Sequence, residues 1–129
     1  TLADVATTAK TECIMLACSD ETSDLEAGTD KIKFIMPYAF TLTGISASVT
    51  TAPVGATLVV DVNEAGTTIM STNKIVIDAS ETSTATAATA PTLSDTSLAS
   101  GALITVDIDQ IGSSTAGAGL KVYLTGYQS

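Results

Sequence analysis

The chain has 129 residues and a formal charge of −9, from 14 acidic and 5 basic side chains, and it contains no His, Arg or Trp. That length fits one domain with one modest core. The charge repels phosphate backbones and anionic headgroups, so no nucleic-acid or membrane-surface partner is expected, and no apolar run reaches the ~18 residues that a bilayer span needs.

From the N-terminus, residues 1–11 carry no clear period and read as an arm. They lack the basic and apolar regions of a secretory signal; a starting Thr fits removal of an initiator Met, or a fragment. Residues 12–129 read as one β domain. Glu12 to Cys18 is a first strand. The intervening Ile-Met-Leu-Ala sets Cys13 and Cys18 on opposite faces, which excludes a local disulfide. Both are read as small buried hydrophobes made in a reducing cytoplasm, and two thiols without His cannot complete a zinc site. Ser19 to Thr29 is a polar loop. Lys31 to Met36 follows, with Ile32 and Phe34 on one face and Lys31, Lys33 and Ile35 on the other, and Pro37 ends it.

From Phe40 to Val49 the chain alternates apolar and polar residues with period two, the signature of a half-buried strand. The inward set is Phe40 and Leu42, then Ile45, Ala47 and Val49. This one-residue slip predicts a β-bulge at Thr43 to Gly44. Thr57 to Glu64 buries Leu58, Val60 and Val62, with Asp61 and Asn63 facing out. Ala65-Gly66 turns the chain into Thr67 to Ser71, and Lys74 to Asp78 is a short strand. Residues 79–100 are weakly apolar and read as a long connection with one short strand. Gly101 to Ile111 presents Ala102, Ile104, Val106 and Ile108 inward, and Leu120 to Tyr127 closes the domain with Leu120, Val122 and Leu124 on the core. The expected fold is all-β: a two-sheet antiparallel sandwich, jelly-roll-like, of about eight strands.

Two stretches align without a gap, Val60-Asp-Val-Asn-Glu-Ala-Gly-Thr-Thr68 and Val106-Asp-Ile-Asp-Gln-Ile-Gly-Ser-Ser114. They read either as an internal repeat or as a chance match of apolar/acidic alternation. Asp61, Asn63, Asp107 and Asp109 could then converge on a cation such as Ca²⁺. Solvated outer-face carboxylates are the preferred reading, so no metal or other cofactor is assigned.

Catalysis is disfavoured chemically. Without His, a Ser or Cys nucleophile has only Lys or a carboxylate as base. A Ser–Lys dyad is formally possible but not expected, and the glycines at 112, 117 and 119 lack the following Lys-Ser/Thr of a P-loop. A glycosidase carboxylate pair would lack its usual aromatic platforms, since only Tyr38, Tyr123 and Tyr127 remain. The catalytic assignment is none.

The runs Met36-Pro-Tyr-Ala-Phe-Thr-Leu-Thr-Gly44, Val60-Asp-Val-Asn-Glu64, Asp107-Ile-Asp-Gln-Ile-Gly-Ser113 and Gly119-Leu-Lys-Val122, with Ala17-Cys-Ser-Asp-Glu-Thr22 ahead of them, resemble a small β-rich domain of tailed-bacteriophage structural proteins. The resemblance spans residues 12–126. It implies a virion component made in the host cytoplasm: a capsid cement or decoration protein on the shell surface, bound to the major capsid protein and to its own copies, often as a homotrimer. In this reading the arm residues Thr1, Leu2, Val5 and Lys10 are the candidate capsid contacts. The alternative is a distal tail-fibre domain that binds a host glycan through loops at one end of the sandwich, with Tyr38, Tyr123 and Tyr127 stacking on sugar.

Overall fold

The computed structural model describes residues 10–129. Among these residues are nine strands: β1 (Glu12–Ala17), β2 (Gly28–Ile35), β3 (Phe40–Ser48), β4 (Leu58–Glu64), β5 (Thr67–Thr68), β6 (Ile75–Ile77), β7 (Ser97–Leu98), β8 (Leu103–Gln110) and β9 (Lys121–Gln128), with one 3-10 turn at Thr84–Thr86. They form two antiparallel sheets. One is ordered β1-β9-β3-β7, the other β2-β8-β4-β5, with β6 also paired to β4. No helix among the described residues is long and apolar enough to cross a membrane.

The pairing is nested: β1 with β9, β2 with β8, β3 with β7 and β4 with β6. A ribbon folded on itself in this way and then rolled, so that β9 also meets β3 and β8 meets β4, is a jelly roll. The expected sandwich is therefore present, and β5 is an added hairpin arm at the apex of the ribbon. Its two-residue turn, Ala65-Gly66, has positive φ at both positions (50° and 85°), the twist a tight hairpin needs.

The two-residue beat places the core. Leu58, Val60 and Val62 of β4, Ile104, Val106 and Ile108 of β8, and Leu120, Val122 and Leu124 at β9 are all buried between the sheets, as expected, and Phe40 is fully enclosed among them. Burying each such side chain stabilises the fold by about 1.5–3 kcal/mol. The bulge also lies where the phase slip put it. Leu42 pairs with Gly126 and Gly44 with Thr125, so Thr43 is the extra residue that turns Ile45 and Ala47 back toward the core. Opposite it, a Cβ on Gly126 would lie 1.9 Å from the Thr41 carbonyl oxygen, so only glycine fits there.

Two details differ from the sequence-based expectation and one extends it. β2 starts at Gly28, inside the expected loop, with a register shift between Gly28 and Ile32. The 79–100 connection contains β7 as its one short strand, and its Thr82 to Thr84 segment also borders β3: the Val49 amide donates to the Thr82 carbonyl (2.8 Å) and the Ala47 amide to Thr84 Oγ1 (3.3 Å). Finally, Cys18 is buried but Cys13 is exposed, so only one of the two thiols is a core hydrophobe.

Candidate functional site: the outer sheet faces and the β1 edge

The outer face of the five-stranded sheet is built on β4 and β8, the two strands of the aligned stretches. They pair directly, Asp61 opposite Asp107 and Val62 opposite Val106. Asp61 and Asn63 were expected to face solvent, yet they are 7% and 8% exposed. The reason is the β5–β6 arm, which folds back beside β4. It brings Lys74 Nζ to 2.9 Å from Asp61 Oδ2 and 3.2 Å from Thr68 Oγ1, with Met70 O at 3.5 Å, while Thr68 donates its hydroxyl to Asp61. Asn63 Nδ2 donates to Asp107 Oδ2 (3.0 Å), and the Asp30 amide donates to Asp107 Oδ1 (2.8 Å). That last bond holds Asp30 at φ 53° in the β2 irregularity, a conformation Asp tolerates better than most residues.

This arrangement replaces the convergence of four oxygen-bearing side chains on a cation. Asp61 is engaged by an internal ammonium, and Asp107 by Asn63 and the Asp30 amide. Asp109 is the unpaired residue of a second bulge, since Val59 pairs with Gln110 and Val60 with Ile108. Burial raises the Asp109 carboxyl above its ordinary pKa, with the negative charge of Asp61 adding to the shift. Among the described residues no group of three or more His, Cys, Asp or Glu side chains is placed to hold a metal ion.

Lys74 carries no motif that marks it in the sequence, although it is the only cation between Lys33 and Lys121 in an acidic chain. It does complete a Ser-x-x-Lys spacing, Ser71-Thr-Asn-Lys74, but the geometry argues against a dyad. The Lys74 ammonium is bonded to Asp61, Thr68 and Met70, while the Ser71 amide donates to Ser94 Oγ (3.1 Å). Burial pushes the Cys18 thiol up to about 11, which leaves it protonated and a poor nucleophile at neutral pH.

The outer face of the four-stranded sheet is different in kind. Its outward positions are Cys13, Met15 and Ala17 on β1, Tyr123, Thr125 and Tyr127 on β9, and Thr41, Ser46 and Ser48 on β3. The one charged group in these rows, Lys121, is paired with Glu21 at the end of the sheet. Met15 is 53% exposed.

The three tyrosines do not form one platform. Tyr123 lies mid-strand with its hydroxyl 2.8 Å from Ser48 Oγ. Tyr127, four residues on, is about 13 Å further along β9. Tyr38 sits in the β2–β3 turn against Phe40, ring centroids 6.3 Å apart. A cleft of about 270 Å³ beside the Ser19–Glu26 loop, floored by Cys18, Leu25 and Ile108, is lined by none of them. Of the arm residues, Lys10 is exposed; Thr1, Leu2 and Val5 lie outside the described residues.

No family model, curated protein or solved structure matches the chain.

Proposed function

We propose that this protein is a non-enzymatic structural component of a tailed-bacteriophage virion, a capsid cement that lies on the outside of the shell and bridges neighbouring capsid subunits. The observation that carries the reading is the contrast between its outer faces. One is closed by its own internal ion pair, and the other is an open, uncharged sheet of hydroxyl and apolar groups. A rigid sandwich with one such face is suited to many weak contacts multiplied by symmetry, and the phage-like runs on β3, β4, β8 and β9 point the same way. The mechanism is mechanical: bridging opposes the outward pressure of packaged DNA.

The test is imaging of virions that contain and lack this protein, together with thermal release of their DNA. Density on the shell and release at a lower temperature without the protein are the expected results. Density only at fibre tips would instead support the glycan-binding alternative, and unchanged release from shells that lack the protein would end the cement reading.

A further inference from the structure

We infer that β1 is a self-association edge that joins two copies of this chain across a two-fold axis through Met15. This goes beyond the cement reading and does not rest on it. It also replaces the threefold arrangement that the resemblance implies, because antiparallel pairing of one strand with its own copy is a two-fold contact.

A sheet edge exposes unpaired main-chain donors and acceptors, and natural proteins guard it with short strands, bulges or charged side chains. Among the described residues, three of the four sheet edges are guarded. β2 carries Lys31 and Lys33, a register shift and the left-handed Asp30. β5, β6 and β7 are two or three residues long. β1 is six residues long and has no register shift.

The Cys18 amide donates to the Leu120 carbonyl (2.9 Å), so in the β1–β9 register Glu12, Ile14 and Leu16 turn their main chain toward β9. Cys13, Met15 and Ala17 therefore turn theirs to the free edge, and their side chains are exposed and uncharged. Among the described residues nothing pairs with that side of β1.

Charge selects the occupant. Two chains of −9 repel each other over most of their surface, and the β1 edge with its outer face is where they can approach without facing like charges. In a register centred on Met15, residues of the same face meet: Met15 with its copy, Cys13 with Ala17, and Ile14 with Leu16. The same register carries exposed Lys10 to the level of exposed Asp20 of the second copy, twice by symmetry. Centring on Ile14 would bring Lys10 to Cys18 instead and lose that complementarity.

Sedimentation of the full 129-residue chain from micromolar to submillimolar concentration tests this. The native chain is expected to be a dimer. Met15→Lys, which sets two ammonium groups face to face at the axis, should weaken the dimer roughly a hundredfold with an unchanged circular dichroism spectrum, since the side chain is exposed. Lys10→Asp and Asp20→Lys should each weaken it, and the double exchange should restore it. A monomer throughout the range, a trimer, a dimer indifferent to Met15→Lys, or a dimer that appears only after residues 1–9 are removed would each overturn the inference.

Discussion

The two outer faces of the sandwich are written in the same alternating code and end up as opposites. On the five-stranded sheet the outward residues Asp61, Asn63 and Thr105 are buried at 6–8% exposure, with Asp61 and Asn63 tied into a bonded network. On the four-stranded sheet, outward Cys13 and Met15 are open to solvent. The difference lies in what the topology lays beside each strand. β4 is flanked by the β5–β6 arm and its lone Lys74, whereas β1, among the described residues, is flanked by β9 on one side only. An outward charge is thus no guide to solvation until its neighbours across the sheet are known.

The largest effect that would break this contrast is expected at Lys74. Lys74→Met removes the ammonium from a carboxylate that is 9% exposed and leaves it in place. Breaking such a pair from one side should destabilise the fold by about 3 kcal/mol in urea titration. Adding Asp61→Leu removes the orphaned charge, and the double variant should recover most of the loss. If Lys74→Met alone costs less than about 0.5 kcal/mol, the network is a solvated surface pair like many others.

Asp107 comes next. Asp107→Ala strands the Asn63 amide and the Asp30 amide together, each of which now donates to it. A loss of about 1–2 kcal/mol is expected, with faster amide hydrogen exchange at Asp30 than at the regular Lys33 to Ile35 part of β2. Chelator should leave the melting temperature of both native and variant chains unchanged, because Lys74 already supplies the positive charge. A drop on adding chelator would restore the cation reading of this face.

How much of this is legible in the sequence follows from these contacts. Period-two alternation is a local property, so the inward sets of β3, β4, β8 and β9 can be read directly, and so can the Thr43 bulge, because a phase slip is visible within a few residues. The nested pairing that makes a jelly roll, the second bulge at Asp109 and the meeting of Lys74 with Asp61, 13 residues away, depend on how the ribbon rolls. No local pattern encodes that. The β5–β6 arm reads as a turn and two short segments, but nothing in Thr67 to Ile77 says on which side of β4 it lies. Cys13 differs for a simpler reason: residue type alone suggests burial, although its place on β1, five residues from the buried Cys18, already puts it on the opposite face.

A smaller effect, of known sign, comes from pH. The Asp109 carboxyl is raised above its ordinary value of 3.8 by burial and by Asp61. Its protonated form is favoured by folding, so the penalty is absent below that value and develops as pH rises through the folded pKa. Asp109→Asn should therefore stabilise the chain by less than about 1 kcal/mol at pH 7, since the group is largely exposed, and do nothing at pH 3. Asp20 and Glu21 work in the opposite sense. The Ser23 and Thr22 amides hold the Asp20 carboxyl down, and Lys121 and Thr50 hold Glu21 down. Their contribution is present above the ordinary carboxylate range and is lost as pH falls. Melting curves of the Asp109→Asn and Asp20→Asn variants should diverge at neutral pH and converge in acid; parallel curves would show that the two regions do not differ electrostatically.

The smallest effect is expected on the open face, at Tyr123→Phe. The phenol hydroxyl lies 2.8 Å from Ser48 Oγ in a half-buried position, where water can replace either partner once the other is gone. Phenylalanine keeps the ring at the same strand position, paired in register with Met15 and Ser46 on the neighbouring strands, so the loss should be about 0.5 kcal/mol or less. Were it to approach the loss at Lys74, the four-stranded face would hold a network as tightly bonded as the one on β4 and β8. The same variant bears on assembly, because Tyr123 sits directly across from Met15. If the β1 edge joins two copies, Tyr123→Phe should leave the dimer intact while Met15→Lys dissociates it. The main chain and the Met15 pair at the axis make that contact, and a hydroxyl one strand further in does not.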